Sequence, residues 1–177
     1  MKYWYDTEFH EDGETIELIS IGIVAEDGRE YYAVNADLRV HRLRRNDWLM
    51  ANVWPHLPTR PPGGGFTVET LDYEAAEVKP KDRIATEVRD FLLAETAPEL
   101  WAWYGAYDHV ALAQLFGRMI DLPAGIPMWT NDLRQEQHRL GDPPMPAQPG
   151  GEHNALADAR HLRTMHARLS AYSRIRR

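Results

Sequence analysis

Two carboxylates stand at equivalent places on two amphipathic stretches. At 155–172, Leu162, Met165, Leu169 and Tyr172 recur on one helical face, and Asp158, one turn before Leu162, projects from that face. At 108–119, Leu112, Leu115, Phe116 and Met119 form the apolar stripe, with Asp108 one turn earlier. An unpaired carboxylate turned towards a core is costly, so a positive group is expected to meet it. For either acid taken alone, stabilisation by the positive end of a helix is an equally good account.

A second pair lies on the first strand. Side chains alternate along a strand, so Asp6 and Glu8 emerge on one face and Tyr5 and Thr7 on the other. With 27 acids among 177 residues, acidic-x-acidic triplets arise by chance about four times, so the placement on an aromatic strand carries the signal. Asp12-Gly13-Glu14 is the bland version, read as turn chemistry. His153 and Asp158 are about 140° apart if both are helical, but Asn154 is a good N-cap, which leaves His153 in the preceding loop, either reaching over the same site or an ordinary surface histidine. Four carboxylates without cysteine make a hard, oxygen-rich site suited to Mg²⁺ or Mn²⁺ rather than zinc. Two such ions can clamp the attacking and leaving oxygens of a phosphoryl displacement, and a neutral histidine can deprotonate the water.

The elements that must position these residues are legible as α/β. Strands are expected at 3–8, 15–25 and 30–34, the last two joined by an Asp27-Gly28 hairpin. A short helix at 46–56 capped by Asn46 and a Pro/Gly-rich surface loop at 58–65 come next. Ile84, Val88, Phe91 and Leu92 mark a helix at 81–94. A strand at 99–104, the helix at 108–119, a strand at 126–130, a loop at 141–151 and the closing helix complete a mixed sheet in one domain spanning 1–177.

The absence of cysteine excludes disulfides and thiolate metal sites and is compatible with a reducing, cytoplasmic setting. No apolar run is long enough to span a bilayer, so no membrane association is expected. A formal net charge of −7 does not suit electrostatic capture of nucleic acid, although carboxylate-bound cations could meet the phosphates. Basic runs at 39–45 and 174–177 could touch a substrate backbone or be solvated faces.

Tyr5-Asp6-Thr7-Glu8-Phe9, Trp103-Tyr104-Gly105-Ala106-Tyr107-Asp108 with Leu112, and His153-Asn154-Ala155-Leu156-Ala157-Asp158-Ala159 resemble, in order, the three exonuclease motifs of the DEDDh family. The resemblance implies a ribonuclease H-like fold, a five-stranded mixed β-sheet flanked by α-helices, and stepwise 3′→5′ hydrolysis releasing nucleoside 5′-monophosphates. It also implies that Asp6, Glu8, Asp108 and Asp158 bind two Mg²⁺ ions and that His153 is the general base, so activity should rise with pH as the imidazole becomes neutral. Ala106 stands where many relatives have Asn, and Tyr107 where many have Phe; neither change touches a ligand.

The length and the Tyr-Asp-Thr-Glu-Phe opening are similar to the small polyadenylate-specific 3′-exoribonucleases of RNase AS type, which implies a single-stranded RNA 3′ end as substrate and a homodimer. Phe9, next to the metal pair, could stack on the terminal base or belong to the core, where Trp101 and Trp103 are expected. The same carboxylates would serve a DNA exonuclease. A catalytically silent nucleic-acid-binding domain would be signalled by loss of an acid or of His153, and none is missing.

Overall fold

The computed structural model describes residues 1–63 and 68–175. β1 (Lys2–Glu11), β2 (Ile16–Ala25) and β3 (Glu30–Asn35) form the expected meander, and Gly28 turns the second hairpin at φ +93°. Two short helices follow, α1 (Val40–Leu43) and α2 (Asp47–Asn52), then a 3₁₀ turn at Trp54–His56. Asn46 caps α2 by accepting from Leu49 N at 3.0 Å. Part of the loop expected at 58–65 is instead a small hairpin, β4 (Thr59–Arg60) with β5 (Thr70–Leu71); Gly64 and Gly65 lie outside the described residues.

The main sheet gains β6 (Val78–Lys79), β7 (Glu99–Ala102) and β8 (Asn131–Asp132), and its order is β6-β3-β2-β1-β7-β8. β6, two residues parallel to β3 at the edge, is the strand beyond the five implied by the sequence. β1 and β2 are antiparallel, whereas β7 runs parallel to both β1 and β8, so the sheet is mixed. β8 forms at 131–132 rather than 126–130, where Pro127 has no N–H to give a ladder.

Helices cover both faces. α3 (Lys81–Leu92) and α4 (Ala106–Ala113) pack Ile84, Val88, Leu92, Ala111 and Leu112 on Tyr3 and Tyr5. α4 is shorter than 108–119: Gly117 takes φ +103°, and Met119 is exposed rather than in the core. On the other face, α6 (Ala155–Ile175) lays Leu162, Met165 and Leu169 over Trp4, with α5 (Leu133–Arg139) contributing Leu133. α5 was not expected; Asp132 caps it by accepting from Arg134 N at 2.8 Å and Gln135 N at 3.2 Å. Trp101 and Trp103 pack against this second core, as expected. A third cluster gathers Ile19, Val34, Leu43, Leu49 and Trp54 beneath α1 and α2.

The basic run at 39–45 is largely engaged internally. Arg39 and Arg42 pair with Glu17 and Asp12, while Arg44 lies over Trp54. In the run at 174–177, Arg176 and Arg177 lie outside the described residues. Among the described residues no helix is long and apolar enough to cross a membrane.

Candidate active site

The site begins with a missing side chain. Gly22 is the cross-strand partner of Asp6, and a Cβ built on it would lie 2.3 Å from the carbonyl oxygen of Ala155. Only glycine lets the first turn of α6 rest directly on the sheet here. That contact sets α6 beside Asp6 and Glu8, which share the face of β1 that Trp4 presents to α6. Asn154 caps α6 by accepting from Ala157 N at 3.0 Å, and Asp158 follows in the first turn. Ligand oxygens of Asp6, Glu8 and Asp158 consequently all lie within 4.8 Å of one another.

Asp108 arrives from the opposite helical layer. β7 pairs with β1 only from Lys2 to Trp4, so further along that edge the N–H of Thr7 has no ladder partner. Asp108, in the first turn of α4, accepts from Thr7 N at 2.9 Å and Thr7 Oγ1 at 2.7 Å. It is outside the 4.8 Å group but lines the same recess of about 830 Å³.

Among the described residues, no lysine or arginine forms an ion pair with any of these four acids, and their electrostatics reflect it. Burial, followed by the negative charges of Asp158 and Asp108, pushes the Glu8 carboxyl up to about 8. Burial raises Asp108 to about 6 against the opposing effect of its two bonds from Thr7. Asp6 is raised well above the usual carboxylate range by burial and then by Asp108, Glu8 and Asp158. Asp158 is raised by burial, opposed by the Gln148 amide and the backbone N–H of His153. Packed carboxylates with no cationic side chain among them hold charge well only when a cation is supplied.

His153 sits in the loop before α6, with its backbone left-handed at φ +65° and its N–H on Asp158 at 2.9 Å. Its imidazole lies outside the three-carboxylate group and meets Trp48 of α2 edge-to-face, with ring centroids 4.9 Å apart. Phe9, half-buried, stacks with Tyr107 at 6.0 Å, and both rings line the recess.

All six residues singled out in the sequence line this one recess. Thr7, Gln148 and Tyr104, which line it, were missed, as was Trp48, which meets the His153 ring without lining the recess. Thr7 is apparent only once β1 and β7 are seen to part, and Gln148 lies in a loop without periodicity. Trp48 reaches His153 across more than a hundred residues of chain, and no local pattern marks that contact.

Comparison with known proteins identifies the family. Residues 1–169 match the family described as 3′-5′ exoribonuclease Rv2179c-like domain. The chain is 46% identical over 162 residues to 3′-5′ exoribonuclease Rv2179c of Mycobacterium tuberculosis strain ATCC 25618 / H37Rv, covering 90% of this chain and 88% of that protein. The same figures hold for 3′-5′ exoribonuclease MT2234.1 of strain CDC 1551 / Oshkosh. The chain therefore belongs to the Rv2179c-like 3′-5′ exoribonucleases, the RNase AS type of the DEDDh family.

Proposed function

We propose that this exoribonuclease removes nucleoside 5′-monophosphates from the 3′ end of single-stranded RNA, favouring adenylate-rich ends, and that residues 1–177 act as one exonuclease domain. The observation that carries the reading is the convergence of Asp6, Glu8 and Asp158 within 4.8 Å in a recess that Asp108 also lines.

The donor set fits hard divalent cations: it offers only carboxylate oxygens, and burial makes each of them reluctant to ionise without a positive partner. Asp6, Glu8, Asp108 and Asp158 would hold two Mg²⁺, with Mn²⁺ able to substitute, and the bound ions would offset charge on the scissile phosphate and acidify a water. Thr7 fixes Asp108, and the Gln148 amide and the His153 N–H fix Asp158. His153, on its loop beside Asp158, is the general base that takes the proton from the attacking water. Phe9, backed by Tyr107, offers a face to the terminal base. The resemblance to the small polyadenylate-specific enzymes supports a homodimer, and a chain without cysteine suits the cytoplasm.

The test is incubation of a 5′-labelled adenylate-rich RNA with Mg²⁺ or EDTA, beside matched DNA and an Asp158→Ala control. A ladder shortening from the 3′ end, absent with EDTA or the variant and faster for RNA, is expected. Equal or faster loss of DNA would reassign the substrate. No degradation by a folded sample would leave a binding domain.

A further inference from the structure

The turn between β7 and α4 holds a residue that the chemistry above does not use. Tyr104 lies in the left-handed region at φ +54°, where a bulky side chain is costly, yet the residue is 60% exposed. The turn is tied down: Gly105 N donates to Asp132 Oδ2 at 3.0 Å, and the other oxygen of Asp132 caps α5 through Arg134 N and Gln135 N. One carboxylate thus fixes both the turn that presents Tyr104 and the helix start that presents Arg134.

The two side chains are also linked. Arg134 lies within electrostatic reach of the Tyr104 hydroxyl and is anchored by Asp142 at 2.6 Å. Trp103 braces the Tyr104 ring edge-on, with centroids 5.5 Å apart. Both aromatics line the recess that holds the carboxylates. A fixed, exposed ring beside a fixed guanidinium is the pairing that binds one nucleotide of a single strand, the base on the ring and the phosphate on the cation.

Resting on the exonuclease reading, we propose that Tyr104 and Arg134 form the subsite for the penultimate nucleotide of the RNA. Phe9 and Tyr107 adjoin the acids directly in sequence, following Glu8 and preceding Asp108, and take the terminal base. Tyr104, four residues before Asp108 on the turn into α4, takes the base behind it. Every base has a π-face, so this subsite favours stacking strength, greatest for purines, rather than a particular hydrogen-bond pattern.

The test measures kcat/KM on a short RNA carrying an abasic ribose at the penultimate or the terminal position, with wild type, Tyr104→Phe, Tyr104→Ala and Arg134→Gln. Removing the penultimate base should slow wild type roughly tenfold, and Tyr104→Ala should slow the intact RNA by about the same factor. The two changes combined should cost little more than either, while Tyr104→Phe, which keeps the ring and loses only the hydroxyl near Arg134, should still be slowed by removal of the penultimate base. Arg134→Gln should raise KM severalfold and flatten its salt dependence. Losses that multiply, or coupling of Tyr104 to the terminal base instead, would overturn the subsite and leave the exonuclease standing. Failure of wild type to shorten intact RNA would overturn both.

Discussion

Thr7 donates twice to one oxygen of Asp108, from its backbone N–H at 2.9 Å and its hydroxyl at 2.7 Å. Both bonds fall on Oδ1, which leaves Oδ2 without a bond from Thr7. The residue between the two acids of β1 thereby holds a third acid brought in by a different helix. Since β7 stops pairing with β1 at Trp4, the carboxylate also satisfies a strand N–H that would otherwise be unpaired.

Thr7→Val keeps the β-branched shape and removes the hydroxyl. A hydrogen bond to a charged group contributes about 1.5–3 kcal/mol. We expect kcat to fall roughly tenfold and half-saturation to need severalfold more Mg²⁺, with the far-ultraviolet circular dichroism unchanged. Unchanged metal dependence would show that the backbone N–H alone places Asp108.

Metal-free stability should fall as pH rises. Glu8 at about 8 and Asp108 at about 6 sit above their unfolded values near 4, so between these limits the folded chain binds more protons than the unfolded one. By linkage, the stability associated with these acids is fully present below about pH 4 and is lost through pH 8. In EDTA, melting temperature should therefore drop from pH 5.5 to 8.5, and Glu8→Gln should flatten that slope. Added Mg²⁺ should raise the melting temperature more at pH 8.5 than at 5.5, because deprotonated ligands bind it better. A Mg²⁺ effect independent of pH would count against the raised carboxylates as its ligands.

Gly22→Ala should separate fold from site. The added methyl meets the backbone of Ala155 and Leu156 at 2.3 to 2.4 Å, so α6 must move. Overpacking typically destabilises by about 1–3 kcal/mol, and the displacement carries Asp158 and His153 away from Asp6. The expected result is a folded protein with a lowered melting temperature and calorimetric Mg²⁺ affinity weakened at least tenfold. Retained affinity would mean that Asp158 reaches the cluster without that close approach.

The parts legible in the sequence were those encoded by local periodicity. Alternation along β1 separated Asp6 and Glu8 from Tyr5 and Thr7, and the helical stripe of α6 pointed Asp158 inward. Parts set by contacts between distant segments were not legible. Edge strand β8 forms at Asn131–Asp132 because those residues pair with Trp101 and Ala102, not because of any strand-like run. α5 was missed although Asp132 is a good cap, because its seven residues show too little periodicity. The three-to-one division of the acids, with Asp108 on Thr7, depends on where two strands diverge, which no spacing of residues encodes.

Trp48 offers the last test, because it touches His153 and none of the carboxylates. The residue is 53% exposed on a six-residue helix, and its edge-to-face contact at 4.9 Å fixes one side of the imidazole. Aromatic contacts of this kind contribute about 0.5–1.5 kcal/mol. If the contact serves to place the base, Trp48→Ala should lower kcat by roughly three- to tenfold and leave RNA affinity unchanged. His153→Gln should cost roughly 10² to 10⁴ in kcat. The double variant decides the matter: Trp48 acting through His153 predicts no further loss once the imidazole is gone. A further loss of the same factor, accompanied by a rise in KM, would instead make Trp48 a direct contact of the RNA.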